Sequence, residues 1–166
     1  MQHHASSRAL AFARARKQAR AWVDSYRPVG KLYPVVCPKC GAAEWQGRWR
    51  WDDVPPDLPR VLCPACERIR DGAPAHVLEL RGALPPWWNE VRGMIANVER
   101  AEVHEHPLER VMPMRVEDDR VLVPTTGVHI ARRLVAAFVR RFRRDVRITF
   151  GDGSTTVEWL ERASRR

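Results

Sequence analysis

Cys37-Pro38-Lys39-Cys40 and Cys63-Pro64-Ala65-Cys66 are two Cys-x-x-Cys pairs separated by 22 residues, and they hold the only cysteines of the chain. A zinc ion takes four soft ligands in a tetrahedron, and each Cys-x-x-Cys turn aims two thiolates at one point. A proline inside each pair, and Gly41 after the first, favour the tight turn this requires. The spacing therefore predicts one structural Zn2+ held by Cys37, Cys40, Cys63 and Cys66, with no coordination position left over to activate water. Disulfides and two redox pairs are the rival readings. Disulfides need an oxidising compartment, and a thioredoxin-like pair must open a helix after a strand, which neither pair is expected to do.

Other groups with chemical potential are scattered. His104-Glu105-His106 has the composition of a metal or acid–base cluster, but adjacent residues on a helix point in different directions, and Pro107 ends the segment. His129, near a helix start, reads as a capping or core histidine, and His3-His4 sit in a terminal tail. No phosphate loop, nucleophile elbow or dinucleotide fingerprint is present in the sequence. The expectation is a protein that is not an enzyme, with no catalytic residue and no small-molecule substrate.

Charge points to an acidic partner. The net charge is +9, and 26 of the 29 basic residues are arginine, whose planar fork suits phosphate and stacks on bases. Residues 1–35 carry seven basic and one acidic side chain, residues 36–80 six and seven, and residues 81–166 sixteen and twelve, so the two ends are basic. Nucleic acid is the commonest partner for such a chain; solvated arginine-rich faces are the bland alternative. No stretch approaches the roughly 18 apolar residues of a membrane span, so no membrane is expected and the location reads as cytoplasmic. The acid-free opening Met1–Val23 also imitates a mitochondrial presequence.

The elements that would position these groups follow from periodicity and turn residues. Residues 1–30 read as a basic arm, helical or disordered, with Arg14, Arg16, Lys17 and Arg20 available to RNA. Residues 31–82 read as a small β zinc ribbon. Within it Trp49 and Trp51 alternate with Arg48 and Arg50, giving an aromatic face that covers the metal and a basic face free to bind. A strand around His76–Arg81 closes the ribbon. Residues 83–166 read as an α-β-β-α-β-β domain, in which Pro85-Pro86 opens a helix with Trp88, Val91, Ile95, Val98 and Glu102 on its inner stripe. Leu108–Val116 and Val121–Thr125 form one expected hairpin, and Asp145–Phe150 and Thr155–Leu160 a second about Asp152-Gly153. Between them runs a helix capped by Thr125 or Thr126, with Ile130, Leu134, Phe138 and Phe142 inward. The fold class is α+β, sandwich-like, with both helices on one sheet face. Outward on the second helix lie Arg132, Arg133, Arg140, Arg141, Arg143 and Arg144, an uncompensated set, whereas the first helix carries Glu90, Glu99, Glu102 and Glu105.

Two runs resemble a known family. Cys63, Pro64, Cys66, Arg68, Gly72 and Leu78-Glu79-Leu80-Arg81-Gly82, and then Gly127-Val128-His129-Ile130-Ala131-Arg132-Arg133-Leu134, look like the zinc-ribbon and following α+β region of the archaeal and eukaryotic large-ribosomal-subunit export adaptors. The first run also resembles small bacterial zinc-ribbon proteins of low-oxygen stress loci. The resemblance spans roughly residues 37–150 and implies a noncatalytic RNA-binding protein that docks on ribosomal RNA of the large subunit, with a stress role implied by the bacterial proteins. The chain is shorter than the export adaptors, has one zinc site where they have more and lacks their export signals, so no shuttle role is carried over. A protein-interaction or transcription-associated ribbon adaptor is the alternative, and a thiol redox sensor using the same cysteines is a third reading.

Overall fold

The computed structural model describes Tyr26 and residues 34–82, 88–117, 119–142 and 146–160. The expected basic arm with Arg14, Arg16, Lys17 and Arg20, the Pro85-Pro86 helix start, and Arg143 and Arg144 lie outside the described residues. The fold is mixed α+β, with three helices and two sheets among the described residues.

The cysteine module begins with a three-stranded antiparallel sheet, β1 (Val35–Val36), β2 (Ala43–Trp45) and β3 (Arg48–Arg50), in that order. Trp45 to Trp51 does not run as one strand. Gln46 and Gly47 take φ of 53° and 77°, the paired left-handed conformation of a tight hairpin turn, and the chain reverses there. A helix then follows, α1 (Pro64–Asp71), bounded by Cys63 at its N-cap, Pro64 in its first turn and Gly72 in the left-handed C-terminal position at φ 62°.

The second sheet has the order β5-β6-β4-β8-β7, formed by β4 (His76–Arg81), β5 (Arg115–Val116), β6 (Arg120–Thr125), β7 (Val146–Gly151) and β8 (Ser154–Trp159). Its central strand is β4, which the sequence reading placed at the end of the ribbon. That strand pairs antiparallel with β6 and parallel with β8, bringing Leu78 opposite Val123 and Leu80 opposite both Val121 and Val157. Its run Val77-Leu78-Glu79-Leu80 is buried throughout, as a central strand must be. The first expected hairpin is cut short: β5 keeps only two residues, and 108–114 pass as irregular chain that touches β6 through the Val111–Thr125 bridge.

Two long helices, α2 (Trp88–Glu105) and α3 (Val128–Phe142), share one core with Leu78, Leu80, Val121, Val123 and Val157. The expected stripe Ile130, Leu134, Phe138 and Phe142 is buried, as are Val91, Ile95 and Glu102 of α2. Trp159 meets Phe138 and Phe142 edge-on at 5.8 and 5.3 Å, closing the core beside the last hairpin. No helix among the described residues is long and apolar enough to cross a membrane.

Candidate metal centre and its surroundings

Cys37 follows β1, and its pair is shaped by two backbone bonds: Gly41 N–H donates to the Cys37 carbonyl at 2.9 Å, and Cys37 N–H to Ala42 at 2.8 Å. Gly41 has φ 82°, a conformation that suits glycine at the end of such a turn. The second pair opens α1. Cys63 caps the helix, its Sγ accepting from Cys66 N–H at 3.4 Å, and its carbonyl accepts from Glu67 N–H at 3.0 Å. The expectation that neither pair opens a helix is therefore corrected: Pro64 sits where a helix tolerates proline, and Cys63 occupies a capping position that sulfur can serve.

The four Sγ atoms lie within 4.8 Å of one another, with Cys40 and Cys63 only 3.7 Å apart, and are arranged to hold one metal ion. Ala65, Leu62, Trp49 and Leu108 pack around them. Trp49 thus covers the cluster as its strand alternation predicts, while Arg48 points to solvent and Arg50 pairs with Asp52 at 3.2 Å. Burial drives the Cys63 thiol strongly upward and the Cys66 thiol to about 11. For Cys37 burial also acts upward, but hydrogen bonds from the backbone of Cys63, Cys40 and Lys39 outweigh it and bring the thiol to about 7. So crowded a set can ionise fully only around a cation, which is the behaviour of a metal-binding thiolate cluster.

A cation of the protein itself already approaches. Arg110, from the irregular chain after α2, places Nη1 3.7 Å from Cys66 Sγ, donates from Nε to the Pro107 carbonyl at 2.8 Å, and lies 5.8 Å from the Trp51 ring centre. Burial opposes its charge, yet Cys40, Cys63 and Cys66 outweigh that and hold the guanidinium more firmly protonated. Sequence reasoning missed Arg110 because it placed 108–116 in a hairpin strand, whereas the segment is irregular chain up to Arg115.

The segment around Arg110 joins the modules. Pro107 is fully buried and Leu108 packs on the cysteines. Thr126 Oγ1 donates to the Leu108 carbonyl at 2.6 Å and accepts from Arg110 N–H at 2.8 Å. Glu109 accepts from Ile130 N–H at 2.8 Å, so a carboxylate from this loop supplies the N-terminal cap expected of Thr125 or Thr126. Thr125 instead donates to the Gly127 carbonyl at 2.8 Å. Across the same seam Trp51 Nε1 donates to Val103 at 2.6 Å, and Tyr26 reaches α1 through Asp71 at 3.0 Å and a stack on Arg68.

The helix arginines divide. Arg133 pairs with Glu102 at 2.6 Å and Arg141 with Glu90 at 2.6 Å, so these two are compensated, by acids of the neighbouring helix. Arg132 and Arg140 are exposed and make no ion pair with a described residue. His129 is neither cap nor core: it is exposed and lies 3.1 Å from Glu102 Oε2. Comparison with protein-family models, with curated proteins and with solved structures finds nothing that matches this chain.

Proposed function

We propose that the chain is a noncatalytic RNA-binding protein, that its cysteine module is a zinc ribbon stapled by one structural Zn2+, and that it docks on ribosomal RNA of the large subunit in the cytoplasm. Four thiolates with no oxygen or nitrogen donor suit zinc, and their closure of the tetrahedron suits a staple. The observation that carries the RNA reading is the arginine left over after internal pairing: Arg48, Arg92, Arg132 and Arg140 are exposed without an ion pair to a described residue, in a chain of net charge +9. Arg141 holds an exposed surface pair with Glu90, which costs little to exchange for phosphate, whereas Arg133 is committed to the buried Glu102 carboxylate. The arm's Arg14, Arg16, Lys17 and Arg20, and Arg143 and Arg144, extend the same surplus in sequence. The ribosome, and a stress role, rest on the resemblance of the two motif runs.

Filter binding to ribosomal RNA across a salt series tests the reading. Arg132→Gln with Arg140→Gln should weaken binding at low salt and lower the salt slope by about 1.4–1.8 units, since each lost phosphate contact removes about 0.7–0.9 of a unit. Unchanged affinity in a variant shown folded by circular dichroism gives the lead to a protein-interaction adaptor. The thiol-sensor reading is favoured by one feature, the Cys37 thiol that backbone hydrogen bonds bring down to about 7. It requires zinc release by mild peroxide, whereas the buried Cys37, Cys63 and Cys66 of a staple should resist it.

A further inference from the structure

The end of α2 and the start of α3 bring together three groups that are far apart in sequence. Glu102 and His106 stand one helical turn apart, and the turn is completed past the end of α2 by His106 N–H donating to the Glu102 carbonyl at 2.7 Å. His129 is the second residue of α3. The Glu102 carboxylate and both imidazoles present ligand atoms that all lie within 4.8 Å of one another. We propose that Glu102, His106 and His129 form a second metal site, for a divalent transition ion such as zinc, separate from the cysteines and with coordination positions open to solvent.

The geometry is close to that of a shared ion. Bonds of about 2.0–2.1 Å to nitrogen and oxygen put tetrahedral ligands about 3.3 Å apart; Glu102 Oε2 and His129 Nε2 are 3.1 Å apart. Two imidazoles on one such ion would have ring centres about 5.2 Å apart; those of His106 and His129 are 5.5 Å apart, at 81° to each other. The carboxylate is fixed in advance. Glu102 is 6% exposed, and Arg133 Nε donates to its Oε1 at 2.6 Å, leaving Oε2 for His129. A ligating carboxylate held by a hydrogen bond is the ordinary outer support of a metal site. The backbone is fixed as well, because Pro107 and Ile130, which follow the two histidines, are fully buried. Both imidazoles are exposed, so an ion can enter and an outer ligand, water or an anionic oxygen, can complete its shell. A plain histidine–glutamate ion pair accounts for His129, and His106 has Glu105 Oε2 at 4.0 Å, but neither pair accounts for both imidazoles converging on Glu102.

Cobalt(II) added to the full chain, with zinc already loaded on the cysteines, tests this. Uptake of one further equivalent is expected, with weak visible bands and no sulfur-to-cobalt charge transfer in the near ultraviolet. His106→Ala and His129→Ala each remove an exposed side chain, so the fold should survive, and each should weaken the uptake by at least about tenfold. His104→Ala, whose side chain is not in the cluster, should leave it unchanged. The proposal is overturned if zinc-loaded protein takes up no further cobalt, if the cobalt spectrum carries sulfur charge transfer, or if the double variant His106→Ala, His129→Ala binds as the parent does.

Discussion

Replacing Arg110 by Met keeps the unbranched apolar stem of the side chain and removes the charged guanidinium, which isolates the contact between the two modules at the cysteines. With zinc bound, four thiolates leave a formal charge of −2, and the guanidinium stands 3.7 Å from Cys66 Sγ. At an effective dielectric of about 20, a unit pair at that distance is worth about 4–5 kcal/mol before desolvation is charged against it. Arg110 is only half-buried, and net gains for hydrogen bonds to charged groups run about 1.5–3 kcal/mol, so about 2 kcal/mol is the expected loss. That corresponds to about 30-fold weaker zinc binding and a melting temperature lower by about 4–8 °C for a chain of this size. Chelator competition at fixed pH reads the first quantity and thermal circular dichroism the second. Arg110→Lys should fall between, because an ammonium restores charge but cannot both serve the Pro107 carbonyl and lie along the sulfurs as the planar fork does. If the Met variant holds zinc within about threefold of the parent, the guanidinium does not act on the thiolates and the seam is held by packing alone.

Gly127→Ala should destabilise the chain by about 1–3 kcal/mol, because a Cβ there would collide with the Glu109 carboxylate that caps α3; a melt matching the parent's would refute that cap. Glu79 is buried between Arg81 and Arg120, at 3.0 and 2.9 Å. Burial pushes its carboxyl up, but the two arginines outweigh this and hold it below the usual range. The sign follows: its contribution is present above the unfolded value of about 4.3 and disappears as pH falls through the folded one. Glu79→Gln should therefore flatten the acid limb of a stability–pH curve, and an unchanged limb counts against the pairing.

Periodic features were readable in the chain. The inward stripe of α3, the buried positions of α2 and the β7–β8 hairpin about Asp152-Gly153 follow spacings that a single segment carries within itself. The clustering of the four cysteines follows from their pairing in the same way. Features that depend on two distant segments were not readable. Whether His76–Arg81 closes the ribbon or centres the larger sheet is decided by its parallel partner in β8, more than seventy residues later. Arg133 and Arg141 look unopposed when charge is counted helix by helix, yet their acids stand on α2. Helix α1 is too short for periodicity to show, although proline at its start and Gly72 at its end are ordinary boundary signals. The loop from Pro107 to Val111 has no repeat at all, and its roles come from where α2 and α3 leave it.

The position of β4 bears on how the chain reaches this state during synthesis. β4 can pair with β6 once residue 125 has been made, but its other edge waits for β8, the last strand among the described residues. Until then that edge is an unpaired template open to strands of other chains, and Leu80 lacks Val157 beside it. Parallel closure across so long a separation is the slow kind of contact to form. The nascent chain on the ribosome therefore carries a half-built sheet until the β7–β8 hairpin emerges, and that interval is when aggregation competes most strongly with folding.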